Sequence, residues 1–131
     1  MEAVAKLNNC PMSPRKMRLV IDQIRGEKID KALNILRFNQ KPVYAAHIER
    51  LLRSAIANWE TANDTRVDEN TGLFVKEVFV GQGRTLKRLR PAPQGRAHRI
   101  RKRSNHITLV VAAKSQATEA VDFEEVVNTE E

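Results

Sequence analysis

The hydrophobic residues of this chain recur with two different spacings, which predict helices in the first half and strands mainly in the second. Three stretches carry apolar side chains at every third or fourth position, as expected of helices with one buried face. They lie at about residues 14–25, 30–39 and 43–63. The segments LFVKEVFV at 73–80 and HITLVVAA at 106–113 are rich in β-branched residues and predict strands, and weak alternation at 2–8 predicts another.

Polar residues, prolines and a glycine predict where the helices begin and end. Ser13-Pro14 is typical of an N-cap followed by the first helical residue, and Gly26 is typical of a helix end. We expect Asp30 to cap the second helix, whereas Pro42 begins the third and Asn63-Asp64 ends it. The first helix then has a buried stripe opposed by a basic face near its start.

Between the last two predicted strands lies GRTLKRLRPAPQGRAHRIRKR, residues 83–103, with nine Lys or Arg and no acidic residue. A segment with so few apolar side chains cannot offset the entropy of ordering its chain, so it needs an anionic partner. Arg90–Gly95 contains the prolines and glycine of a turn. We therefore interpret residues 81–105 as a hairpin arm whose legs, of about ten residues each, project roughly 30 Å.

The cations of this arm cannot all lie on one face, because successive residues of a strand point to opposite sides. A ribbon that is basic on both faces suits insertion between segments of RNA, which presents phosphates from several directions. Seven of the nine cations are Arg, whose planar guanidinium can bind a phosphate with two hydrogen bonds.

The distribution of charge along the whole chain also points to a polyanion. All 23 Lys and Arg precede residue 115, together with 10 of the 16 Asp and Glu, so residues 1–114 carry a net charge of +13. Nucleic acid is favoured over a membrane surface because no basic helix has a bulky apolar face. We predict one RNA-binding domain at residues 1–114 and an acidic, disordered tail at 115–131.

Little in the sequence suggests catalysis or metal binding. The single cysteine, Cys10, and three scattered histidines lack the spacing of a metal site, and we expect Cys10 to be a structural thiol. The acidic residues of the predicted helices are separated, and no glycine-rich phosphate loop precedes a helix. We therefore expect no catalytic residue, no metal and no cofactor. Without a membrane span or secretory signal, the expected location is the cytosol, or an organelle after processing.

Several motifs resemble the large ribosomal subunit protein twenty-two family of bacteria. They are SPRKMRLVIDQIRG, ALNILRF, LLRSAIAN and the arm segments G-R-x-x-K-R, G-R-A and K-R-S-x-H-I, which occur in order across about residues 3–113. The resemblance implies an α+β fold, with three helices packed on a small antiparallel sheet and a long protruding basic hairpin. It also implies that the hairpin reaches through ribosomal RNA into the peptide exit tunnel.

The resemblance implies a set of RNA contacts at the first helix and along the arm. These are Ser13, Arg15, Lys16, Arg18, Arg25, Arg84, Lys87, Arg88, Arg96, Arg99, Arg101, Lys102, Arg103 and His106. The tip facing the tunnel would consist of Arg90, Pro91, Ala92, Pro93, Gln94 and Gly95, with Arg90 the leading candidate to meet the nascent peptide. Two positions depart from the family: Ala92-Pro93 stands where a further Arg is usual, and Trp59 where a small residue is expected.

The expected partners are large-subunit ribosomal RNA, neighbouring ribosomal proteins and the nascent peptide, with no membrane and no second copy of the chain. The expected location is the ribosome in the cytoplasm. The function implied is a structural constituent of the large subunit that also supports its assembly. A free-standing RNA chaperone, or a nucleoid-type protein that wraps nucleic acid with a basic arm, remains an alternative reading of the charge pattern.

Overall fold

The computed structural model describes residues 1–68 and 71–113, and within them it has three helices and five strands. In chain order these are β1 (Glu2–Cys10), α1 (Pro14–Ile21), α2 (Ile29–Arg37), α3 (Pro42–Asn63), β2 (Leu73–Gln82), β3 (Leu86–Pro91), β4 (Ala97–Lys102) and β5 (Asn105–Ala113). The predicted α+β fold is confirmed. The predicted acidic tail and the domain boundary at residue 114 lie outside the described residues.

The main sheet has three antiparallel strands in the order β1-β5-β2. Its central strand, β5, is almost continuously apolar, and it buries every residue from Leu109 to Ala112. The edge strand β1 alternates instead: Ala3 and Ala5 are buried, whereas Val4 between them is exposed. The alternation in β1 is the pattern of a sheet that is covered by helices on one face only.

The three helices and the sheet share one hydrophobic core. α3 packs on β1 and β5, α1 packs on β2, and α2 packs on α3. Met17, Leu52 and Ile107 are among the fully buried side chains of this core. Trp59, which stands where the family has a small residue, is also buried in this core. No helix among the described residues is long and apolar enough to cross a membrane.

The first helix is shorter than predicted, because the chain leaves it to pair with the edge of β2. α1 ends at Ile21 instead of near residue 25, although Ile24 in the following turn is still buried. The backbone N–H of Gly26 donates to the carbonyl of Val75 at 2.9 Å. Gly26 has a φ of 79°, a left-handed conformation that glycine adopts without steric cost.

The start of α2 also differs from the prediction, and for the same reason. Lys28 pairs with Phe74 in an isolated antiparallel bridge, so the chain turns from extended to helical immediately after it. Asp30 therefore lies in the first turn instead of at the N-cap, where its charge still favours the helix N-terminus. α2 ends at Arg37, slightly before the predicted end, whereas α3 begins and ends as predicted.

Candidate nucleic-acid interface

The arm is a hairpin of two paired strands that form a sheet of their own. β3 and β4 are antiparallel, with partners running from Leu86 and Lys102 at the base to Pro91 and Ala97 at the tip. Every residue of both strands is exposed. The arm therefore has no hydrophobic core to hold its shape.

The register of this hairpin places cations on both of its faces. Cross-strand partners share a face, and successive residues alternate between faces. One face carries Leu86, Arg88, Arg90, His98, Ile100 and Lys102, and the other carries Lys87, Leu89, Pro91, Ala97, Arg99 and Arg101. Each face thus has three Lys or Arg and no acidic residue, so anions can be bound from two sides.

The tip of the arm is a tight turn closed by a backbone hydrogen bond. The N–H of Ala92 donates to the carbonyl of Arg96 at 2.8 Å, around a short 3-10 turn at Pro93–Gly95. Gln94 and Gly95 have φ values of 65° and 69°, both in the left-handed region. Glycine tolerates this conformation freely, whereas a glutamine is held in it by the surrounding turn.

The base of the arm is fixed by close contact between its two legs. The N–H of Gly83 donates to the carbonyl of Ser104 at 2.8 Å, and the Ser104 hydroxyl donates to the carbonyl of Arg84. A Cβ added at Gly83 would lie only 2.7 Å from Ser104 Oγ and 3.1 Å from its carbonyl carbon. The absence of a side chain at residue 83 therefore allows the legs to approach each other.

The beginning of α1 lies beside this base and extends its basic surface. Ser13 is the N-cap residue, as predicted, but its hydroxyl makes no capping hydrogen bond. The neighbouring Arg15 and Lys16 are exposed. A cavity of about 520 Å³ separates the start of α1 from the arm, and it is lined by Ser13, Pro14, Arg15, Lys16, Arg18, Leu19, Gln82 and Arg103. Within residues 1–68 and 71–113, its lining holds four cations and no acidic residue.

A larger groove, which we call the basal groove, adjoins this cavity and has a volume of about 920 Å³. It is lined by Asn9, Pro11, Met12, Ser13, Lys16, Val43, Tyr44, Arg84, Leu86, Lys102, Arg103 and Ser104. Ser13, Lys16 and Arg103 line both spaces, so the two form one basic surface. The fold thus brings the predicted residues of α1 and of the lower arm together, while the cations nearer the tip lie apart from α1.

Two of the predicted RNA-contacting arginines are engaged within the protein. The Arg18 guanidinium donates to the carbonyl of Val80 at 3.1 Å. The Arg25 guanidinium donates twice to the carbonyl of Val78, at 3.2 and 3.0 Å, and pairs with Asp22 at 2.9 Å. Both carbonyls belong to β2, which is an edge strand of the sheet. These arginines therefore satisfy backbone groups that would otherwise lack a partner within the sheet.

His106 lies just beyond the arm and is held by one ring nitrogen. Its Nδ1 accepts a hydrogen bond of 3.0 Å from the backbone N–H of Asn9, which has a φ of 55° beside a register shift in β1. A neutral imidazole that accepts at Nδ1 carries its proton on Nε2. The half-buried His106 therefore keeps one N–H for a further acceptor such as a phosphate oxygen.

Sequence reasoning missed several residues that shape the site. Asn105 is fully buried and donates from Nδ2 to the carbonyl of Met12 at 2.9 Å, which ties the end of the arm to the loop before α1. Val43 and Tyr44 line the basal groove, although their sequence position gives no sign of contact with an arm forty residues later.

Cys10 is buried, and burial raises the pKa of its thiol, in keeping with a structural role.

Comparison with known proteins identifies the family of the chain. The model of the family "Ribosomal protein L22p/L17e" matches residues 5–112. The chain belongs to this family. Similar proteins include the "Large ribosomal subunit protein uL22" of Flavobacterium johnsoniae, 64% identical over 85% of this chain and 80% of the relative. Those of Christiangramia forsetii and Bacteroides thetaiotaomicron are 62% and 61% identical, over 86% and 85% of this chain and 83% and 80% of the relatives.

Membership of the L22p/L17e family confirms the resemblance read from the motifs. The chain is a structural ribosomal protein of the large subunit rather than an enzyme, and its location is that of the ribosome in the cytoplasm. Within residues 1–68 and 71–113, no group of three or more His, Cys, Asp or Glu side chains could hold a metal ion.

Proposed function

We propose that the chain binds large-subunit ribosomal RNA through its arm and the start of α1, and that it supports assembly by holding RNA segments together. The observation that carries this proposal is the charge of the arm, which has cations on both faces and no acidic residue. A two-stranded ribbon without a core is marginal in water, so anions bound on two sides would order it.

The proposed contacts are those predicted from the sequence, with one exception. They are Ser13, Arg15, Lys16, Arg18, Arg84, Lys87, Arg88, Arg96, Arg99, Arg101, Lys102, Arg103 and His106. We leave Arg25 out because its guanidinium is already hydrogen-bonded to Val78 and Asp22. Arg18 is kept because only one of its nitrogens makes a hydrogen bond.

We also propose that the arm forms part of the wall of the peptide exit tunnel and that its turn meets the nascent peptide. The turn suits this role because it is distant from the core: Gln94 is eleven residue steps from Gly83, an extended length of up to about 36 Å. Arg90 is the proposed contact, since it is exposed and pairs with His98 next to the turn. Neighbouring ribosomal proteins would be further partners, and no homo-oligomer is proposed.

The dependence of RNA affinity on salt tests the proposed interface. Six to nine phosphate contacts would give the logarithm of affinity a slope of about −4 to −8 against the logarithm of salt concentration. The measurement uses the full chain and large-subunit RNA. A slope near −1 would contradict an extensive phosphate interface.

A pair of double variants tests the part of the interface at α1. Replacing Arg15 and Lys16 by Gln should make the slope shallower by about 1.5 without loss of helicity, because both side chains are exposed. The matched control replaces Lys31 and Arg53 by Gln, which removes the same charge from exposed ion pairs on α2 and α3. Equal effects of the two double variants would indicate attraction by net charge instead of a defined site.

Sedimentation distinguishes a ribosomal component from a free-standing chaperone or nucleoid-type binder. After a high-salt wash, the chain should remain stoichiometric with large subunits and be nearly absent from the free pool. A large free pool would favour the alternative.

We further propose that residues 1–114 are one RNA-binding domain and that the tail is dispensable for incorporation. The family match supports this boundary, because it ends at residue 112. A chain truncated after Lys114 should still enter the subunit. Failure to enter would mean that the tail contacts the particle.

A further inference from the structure

The basal groove has a mixed lining that phosphate binding alone does not require. Among the described residues that line it are four cations, namely Lys16, Arg84, Lys102 and Arg103, and no acidic residue. None of the four forms an ion pair within the part of the chain that the structure describes. Met12, Val43, Tyr44 and Leu86 add apolar surface, and Val43 is 60% exposed and Leu86 41%. Such a lining suits a ligand with both carboxylates and apolar side chains.

The chain contains a segment of this chemistry outside its family match. Residues 121–127, VDFEEVV, hold three acidic residues among Val and Phe, and residues 115–131 contain no Lys or Arg. We propose that this segment, the acidic tail segment, lies in the basal groove of the free protein and leaves it when RNA binds. The proposal goes beyond the ribosomal role. It rests on the RNA interface proposed above, because RNA and the acidic tail segment would compete for the same groove.

The length of the chain permits this contact. β5 begins at Asn105, next to the groove residue Ser104, and ends at Ala113. The two ends of this nine-residue strand are eight residue steps apart, or roughly 26 Å. Ten residues lead from Ala113 to Phe123 and can span roughly 33 Å when extended. The tail can therefore turn back along the sheet and bring Phe123 and the residues after it into the groove.

Tethering makes even a weak contact effective. A segment tethered by a short linker has an effective concentration on the order of 1 mM, so millimolar intrinsic affinity is enough for substantial occupancy. Occupancy of this order lowers affinity for a non-specific polyanion about two- to fivefold. An RNA that makes many phosphate contacts displaces the segment, because each contact adds to its affinity. The tail would lower the affinity of every polyanion for the groove by the same factor, so weakly bound polyanions would be released while an RNA with many contacts stays bound.

Nuclear magnetic resonance of the free protein at low salt tests the contact directly. The full chain is compared with the chain truncated after Lys114 and with a variant carrying D122N, E124Q and E125Q. Amide resonances of groove residues such as Lys16 and Tyr44 should differ between the full and truncated chains. The amidated variant should resemble the truncated chain, and added salt should remove the difference.

A matched pair of substitutions tests the apolar part of the contact. V43S changes an exposed apolar residue in the groove, whereas F38S changes an exposed apolar residue outside it. Only V43S should shift the resonances of the acidic tail segment toward those of a released peptide. Equal shifts from both variants would contradict docking in the groove.

The remaining outcomes each decide the proposal. Truncation should raise affinity for polyuridylate about two- to fivefold at low salt, and an unchanged affinity would overturn the inference. Groove resonances that are identical with and without the tail would also overturn it. So would differences that grow with protein concentration, since the segment would then bind a second copy. The salt slope for large-subunit RNA is measured on the truncated chain as well as on the full chain, so the proposed ribosomal interface can fail or hold independently of the tail.

Discussion

Shortening the arm should leave the stability of the free domain almost unchanged. Deleting residues 88–98 leaves Arg99 and Ile100 as a two-residue loop between Lys87 and Arg101, which are already paired in the intact hairpin. Replacing Arg99 by Gly gives a Gly-Ile loop, and glycine at the first position suits a two-residue hairpin turn. The variant then keeps the base of the arm and removes its outer part.

The structure sets the expected size of the effect. Leu89 is the largest aliphatic side chain removed, and it is 71% exposed. Complete burial of a leucine side chain stabilises a protein by about 1.5–3 kcal/mol, so the covered part of Leu89 contributes less than about 1 kcal/mol. Strand pairing in the removed segment is offset by the cost of ordering its backbone, about 1–2 kcal/mol per residue. We expect a change of at most about 1 kcal/mol, or about 5 °C in the unfolding midpoint.

Thermal unfolding followed by tryptophan fluorescence measures this change. Trp59 is the single tryptophan and is buried in the core, so its emission reports on the domain and not on the arm. I107A provides the comparison, because Ile107 is fully buried in β5 close to the arm base. Loss of such a side chain costs about 2–5 kcal/mol and should lower the midpoint by about 10 °C or more.

An unfolding midpoint for the shortened-arm variant as low as that of I107A would refute the conclusion that the arm adds little to the stability of the core.

The same variant tests the tunnel proposal in ribosomes, where it should shift the crosslinks that a stalled nascent peptide makes with the tunnel wall. If arm residues of the intact chain never crosslink to nascent peptides in translating ribosomes, the arm does not form the wall.

Two substitutions at the junction of arm and domain have different expected outcomes. G83A should loosen the base of the arm, because the new Cβ would lie 2.7 Å from Ser104 Oγ. Hydrogen exchange of the backbone amides of β3 and β4 should therefore accelerate. Adding S104A should reverse this acceleration in part. Unchanged exchange in G83A would mean that the backbone adjusts without cost. R25Q should lower the free energy of unfolding by about 1–2 kcal/mol, because Arg25 donates two hydrogen bonds to the carbonyl of Val78. It should leave the salt slope of RNA binding unchanged, and a shallower slope would make Arg25 an RNA contact.

The sequence predicted the elements of the fold because their signals are local. The spacing of apolar residues in α3 and the β-branched runs of β2 and β5 are properties of neighbouring residues. The arm could be predicted for a related reason. A run of cations between two strands, with prolines and a glycine in the middle, is compatible with few structures other than a hairpin. Errors arose where a distant strand decided the outcome, as when pairing of Lys28 with Phe74 set the start of α2.

The site was only partly predictable because its shape depends on tertiary contacts. Charge alone does not distinguish Arg15, which is exposed, from Arg25, whose guanidinium is bonded to the edge of β2. No sequence spacing relates Tyr44 to Leu86, although both line the basal groove. Motifs could identify basic residues as a set, whereas only the folded chain assigns each of them a partner.

The charges that we propose to bind RNA also weaken the free arm. Lys87 and Arg101 are directly opposite each other, and like charges at opposite positions destabilise strand pairing. No acidic residue of the arm relieves this repulsion. Phosphates placed on both faces would remove it and add hydrogen bonds to the guanidinium groups. In the proposed interface, RNA would supply the free energy of ordering the arm, whereas the contacts of Gly83, Ser104 and Asn105 fix where the arm begins.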